Sequence, residues 1–75
     1  MPYRLTDEDR VVLMANILRK KREDGLALKN ACIRYGLRPT SFPEFKKTVL
    51  RILQRNPQYT NLIHEKDREY LNGSK

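Results

Sequence analysis

The sequence predicts an all-α chain, and three observations carry that prediction. Apolar residues recur at helical spacing, as in Val11, Met14, Ala15 and Leu18. Glycine and proline at Gly25, Gly36, Pro39 and Pro57 divide the chain into segments of helix length. With 75 residues there is room for one domain with a small core, for which packed helices are the default.

The elements follow in order. Thr6 places a hydroxyl cap ahead of Asp7, Glu8 and Asp9, whose charges suit the positive end of a helix dipole. Arg19-Lys-Lys-Arg22 loads the last turns with cations and Gly25 ends the run, so a first helix is expected over residues 7–24. Residues 27–56 read as a helix, a turn and a second helix. Ala31, Cys32 and Tyr35 face inward on the first of these, and Cys32 has the small side chain that a close helix crossing needs. Gly36 supplies the positive φ that ends a helix, and Leu37 plugs the corner. Pro39 pushes Arg38 away from helical angles. Thr40 or Ser41 is available as a cap, and Ser41-Phe-Pro-Glu44 has the form of a capping box with Pro43 in the first turn. Phe42 and Phe45 open a buried face that continues through Val49, Ile52 and Leu53 until Pro57 interrupts it. A C-terminal helix is expected over residues 58–71, with Asn72 to Lys75 fraying. The expected architecture is a tri-helical helix-turn-helix core with an additional C-terminal helix, in a single domain spanning residues 1–75.

Charge is unevenly divided among these pieces. Residues 1–24 carry six Lys/Arg against five Asp/Glu, residues 25–56 carry seven against one, and residues 57–75 carry three against three. The net charge of +7 therefore resides almost wholly on the middle segment, in Lys29, Arg34, Arg38, Lys46, Lys47, Arg51 and Arg55. Such a cluster is suited to a phosphate backbone, where binding releases counterions and weakens with salt. A solvated face that only aids solubility is the plainer reading of the same residues.

Other function classes find little support. One cysteine excludes an internal disulfide framework and fits a reducing compartment, and one cysteine with one histidine cannot make a zinc site of the usual kind. His64 has no evident Ser or Cys partner, no Gly-rich phosphate loop is present, and Asp7, Glu8 and Asp9 point in different directions on a helix. Neither catalysis nor a cofactor is expected. The N-terminal residues lack the apolar core of a signal peptide, and the run from Val11 to Ala15 is far too short to span a bilayer. A cytoplasmic protein without membrane contact is the expectation.

The stretch Ala31-Cys-Ile-Arg-Tyr-Gly-Leu-Arg-Pro-Thr-Ser-Phe-Pro-Glu-Phe45 resembles the tri-helical helix-turn-helix domains of transposases, resolvase-type recombinases and phage terminase small subunits. With the preceding helix, the resemblance covers roughly half the chain. In such domains the residues from the turn through the exposed face of the last helix approach duplex DNA. By that resemblance, Arg38 and Thr40 sit at the groove edge, Ser41 and the helix N-terminus meet a phosphate, and Lys47 and Arg51 lie farther along the groove. With Glu44 and the flanking cations Arg34 and Lys46, these residues form the candidate DNA-binding set. The function implied is a small transcriptional regulator, or the DNA-recognition component of a phage or mobile element.

Two residues depart from the usual pattern. Pro43 stands where a base-reading side chain is common, and Glu44 brings negative charge toward phosphates. A carboxylate can accept from cytosine N4, but a capping role accounts for Glu44 without function. These departures favour a dimer or larger assembly over tight monomeric binding. Leu62, Ile63, Tyr70 and Leu71 form an apolar strip in the C-terminal segment that either closes the core of the monomer or supplies a homodimer surface. The alternative to DNA is a protein-interaction module that docks its basic surface on an acidic protein partner, as a phage-type modulator does. RNA binding lacks an interleaved aromatic surface, because Phe42 and Phe45 are better used in the core.

Overall fold

The computed structural model describes residues 5–73, and all of its regular structure within that span is helical. The sequence readings made on residues 1–4 and on Ser74 and Lys75 lie outside the described residues. Four α-helices follow in order: α1 (Asp7–Asp24), α2 (Leu28–Arg34), α3 (Phe42–Arg55) and α4 (Glu65–Gly73). Short 3₁₀ segments at Pro39–Ser41 and Pro57–Leu62 lead into and out of α3. Among the described residues no helix is long and apolar enough to cross a membrane.

The limits of α1 are set by local chemistry. The Asp9 amide donates to Thr6 Oγ1 at 3.0 Å, and the Thr6 amide donates to Asp9 Oδ2 at 3.2 Å, which forms a reciprocal cap with aspartate in place of the usual glutamate. At the other end Gly25 takes a left-handed φ of 67°. Helix α1 is the support of the fold, with α2, α3, α4 and the second 3₁₀ segment all packed on it. That arrangement explains why its buried residues are Val11, Met14, Ile17 and Leu18, while Ala15 is only half-buried. Ile17 belongs to the core because neighbours cover a wider arc of α1 than a single stripe.

The remaining core comes from Ala31 and Cys32 of α2, from Phe42, Val49 and Ile52 of α3, and from Ile63 and Leu71 near the C-terminus. Tyr35, Leu37, Phe45 and Leu53 pack against it, half-buried. Truncating Ile52 to alanine would cost roughly 2–5 kcal/mol, a large share of the stability of so small a domain.

Residues 58–71 are not one helix. The chain makes a 3₁₀ segment after Pro57, held by the Thr60 hydroxyl donating to the Pro57 carbonyl at 2.6 Å, and Ile63 is then extended with φ −109° and ψ 131°. The extended step accompanies full burial of Ile63. The helix restarts on His64, whose carbonyl accepts from the Arg68 amide at 2.9 Å while its Nδ1 accepts from the Lys66 amide at 3.1 Å. His64 thus serves as an N-cap. The apolar strip of this segment is divided accordingly: Ile63 and Leu71 are buried in the monomer core, and Leu62 and Tyr70 remain exposed. Ile63 and Leu71 are therefore not available to a homodimer surface.

Candidate nucleic-acid interface

The turn between α2 and α3 is built from backbone hydrogen bonds. The Leu37 amide donates to the Cys32 carbonyl at 2.9 Å and the Gly36 amide to the Ile33 carbonyl at 3.0 Å, with Gly36 at φ 80°. This is a Schellman closure, and it directs Leu37 back onto the core. Arg38 then takes an extended conformation, φ −67° and ψ 131°, as a residue before proline should.

The helical path resumes at Pro39, earlier than the capping-box reading placed it. The Ser41 amide donates to the Arg38 carbonyl at 2.9 Å, and Ser41 itself lies at φ −88° and ψ −7°. An N-cap needs extended angles, so Ser41 is already inside the helical run and its side chain makes no capping bond. Thr40 lies in the same 3₁₀ turn and does not cap α3 either. Glu44 is consequently not the partner of a capping box. Its carbonyl accepts from Thr48 Oγ1 at 3.0 Å, and its exposed carboxylate is in no ion pair among the described residues.

At about 100° per residue, α3 turns Phe42, Phe45, Val49 and Ile52 inward and Glu44, Lys47, Arg51, Gln54 and Arg55 outward. All five of the outward residues are exposed. Arg38, Thr40 and Ser41 are exposed just before the helix begins, so the turn and the outward face form one continuous surface. Gln54 and Arg55 extend the candidate set beyond Arg51, and their spacing of seven and eight residues from Lys47 was the signal for them. Lys29, part of the basic segment but outside the candidate set, is brought to the N-terminal end of α3, where it lines a groove with Leu28, Cys32, Pro39, Phe42 and Pro43.

Two other candidates stand elsewhere. Lys46 is half-buried on the flank of α3, with its Nζ 5.6 Å from the centre of the Tyr70 ring, and Lys21 of α1 is 5.1 Å from the same ring. Lys46 thus belongs to the seam with α1 and α4. Arg34 is exposed near the end of α1: Lys20, bonded at 2.9 Å, holds the Asp24 carboxyl below its ordinary value, and Arg34 adds to that effect.

The ion pairs lie outside the basic segment. Arg10 meets Asp7 at 3.5 Å, Lys20 meets Asp24, and Arg22 meets Asp67 at 3.1 Å. None of the seven cations of residues 25–56 is ion-paired among the described residues, so the local charge is unneutralised. The surface offers hydrogen-bond donors and positive charge. Cys32 is fully buried and burial pushes its thiol up from the ordinary value, which suits packing and not nucleophilic attack. No group of three or more His, Cys, Asp or Glu residues that could hold a metal ion occurs among the described residues.

Comparisons with family models, curated proteins and solved structures find no match to this chain.

Proposed function

We propose that this chain binds duplex DNA through the outward face of α3 and the turn before it. One observation carries the reading: Arg38, Lys47, Arg51 and Arg55 share an exposed surface with no ion-pair partner among the described residues. Lys47, Arg51 and Arg55 recur at one-turn intervals of about 6 Å, a spacing that can follow phosphates along a groove wall. Thr40 and Ser41, released from capping, offer hydroxyls to the backbone at the groove edge. Glu44 and Gln54 are the side chains fitted for base edges. The resemblance to helix-turn-helix domains of transposases, recombinases and terminase small subunits agrees with this use. The corresponding role is transcription regulation or DNA recognition within a phage or mobile element.

Selection from a random duplex pool, followed by sequencing of the retained fraction, tests the proposal. Enrichment of a defined motif by the intact chain supports it, and retention without any motif contradicts sequence-specific recognition.

A second reading has its own observation. Ile33 is 54% exposed beside Gly36, Leu37, Arg38 and Pro39, an apolar patch with a cation at its edge. Docking on an acidic protein would use that patch. Loss of partner binding in Ile33→Asp, with DNA affinity kept, would separate the two readings.

A further inference from the structure

Helix α1 has a second face, directed away from Met14 and Ile17, that the fold covers only in part. At about 100° per residue, Glu8, Val12, Ala15, Asn16 and Arg19 fall within roughly a quarter of the helix circumference. Glu8 and Arg19 are exposed, Val12 is 37% exposed, and Ala15 and Asn16 are half-buried. Leu62, 41% exposed, stands across a cleft from Ala15, Asn16 and Arg19 and widens the apolar part of this face.

Both charges on this face, Glu8 and Arg19, are without an ion pair among the described residues. In the run Arg19 to Arg22, Lys20 is paired with Asp24, Lys21 lies over Tyr70 and Arg22 is bonded to Asp67. Arg19 has no ion pair among the described residues, not even with Glu23 one turn on. In the acidic first turn, Asp7 is paired with Arg10 and Asp9 closes the cap with Thr6, while Glu8 has no such partner among the described residues.

We propose that this face is the interface of a homodimer in which α1 packs antiparallel against α1 of a second copy. An antiparallel pair centred between Leu13 and Met14 sets Glu8 of each copy opposite Arg19 of the other, and Val12 of each opposite Ala15 of the other. The arrangement is self-complementary, as a twofold interface must be. A parallel pair would set Glu8 against Glu8 and Arg19 against Arg19, so charge alone selects the antiparallel form. Ala15 has the small side chain that close helix approach requires, and Val12 with Leu62 supplies the apolar seam. So small a seam gives a weak dimer, with dissociation on the order of micromolar to tens of micromolar. The interface lies on the side of α1 opposite Met14 and Ile17, with Ala15 at its border with the core, and does not depend on the DNA reading.

Analytical ultracentrifugation of the full chain at low salt, from about 1 to 500 µM, tests the proposal across the expected range. The wild type should move from one to two chain masses as concentration rises. Glu8→Arg and Arg19→Glu should each weaken association about tenfold or more, and the double variant should recover association to within about threefold of the wild type. Both positions are exposed, and circular dichroism on the same samples verifies that each variant keeps its helix content. A wild type that stays monomeric throughout, single reversals without effect, or a double variant that fails to recover would each overturn the antiparallel pairing.

Discussion

Arg22 of α1 holds Asp67 of α4 through two hydrogen bonds, Nε to Oδ1 at 3.1 Å and Nη2 to Oδ2 at 3.4 Å. The carboxylate is buried, and its bond is the main reason the Arg22 guanidinium is held above its ordinary value. This forked pair ties the C-terminal helix to the first one, 45 residues away in the chain. Tyr70, one turn on, lies between Lys21 and Lys46 and links the same helix to α3. Docking of α4 is thus polar as well as apolar.

Replacing Asp67 with asparagine keeps the shape and removes the charge. Arg22 would lose its ion pair and one of its two hydrogen bonds, since the amide nitrogen of asparagine donates, and α4 would depend more on Leu71 and the Tyr70 contacts. Thermal melting should show a fall in Tm of roughly 5 °C. Hydrogen exchange should report the largest loss of protection in α4. An unchanged Tm would mean that the pair contributes nothing to docking.

The two candidate caps should behave differently. Thr6→Ala removes a hydroxyl that accepts an amide hydrogen bond, and denaturant titration should show a loss of about 1 kcal/mol. Ser41→Ala removes a hydroxyl that caps nothing, and its stability effect should lie within about 0.5 kcal/mol. Equal losses at both sites would contradict the early start of the helical path at Pro39.

Cys32 gives a pH prediction whose sign follows from its burial. The folded thiol is raised above its ordinary value of 9.0, so the folded state holds the proton more tightly than the unfolded chain. The stabilising contribution is complete below pH 9.0 and is lost as pH rises through the higher folded value. Denaturation midpoints of wild type and Cys32→Ala should diverge in their pH dependence only in alkaline solution. Alkylation of the native thiol at neutral pH should be slow and should follow opening of the fold. Rapid labelling of the native protein would place the thiol at the surface.

Much of the fold is legible in the sequence wherever local chemistry decides it. Thr6 and Gly25 bound α1, Gly36 and Leu37 make the turn, and Pro57 ends α3, because each acts within a few residues of itself. Ser41 was misleading because two local signals compete there: the Ser-x-x-Glu pattern favours a cap, while Pro39 already starts a helical turn. The break at Ile63 was hidden because residues on either side keep helical spacing, and histidine is an uncommon cap. Lys46 could not be placed from sequence, since its surroundings depend on where α4 lies. The outward positions of Lys47 and Arg51 were readable from the inward positions of Phe45, Val49 and Ile52 on the same helix. Lys29 required the tertiary fold, which brings the start of α2 beside Pro43.

Fluorescence anisotropy of a labelled duplex across a salt series, for the wild type and for Arg38→Ala with Lys47→Ala, measures the central claim. If Arg38, Lys47, Arg51 and Arg55 each neutralise a phosphate, log affinity should fall with log salt at a slope of about −4, and the double variant should bind far more weakly with a slope of about −2. Unchanged affinity and slope in a variant that keeps its helix content would contradict this face as the DNA-binding surface.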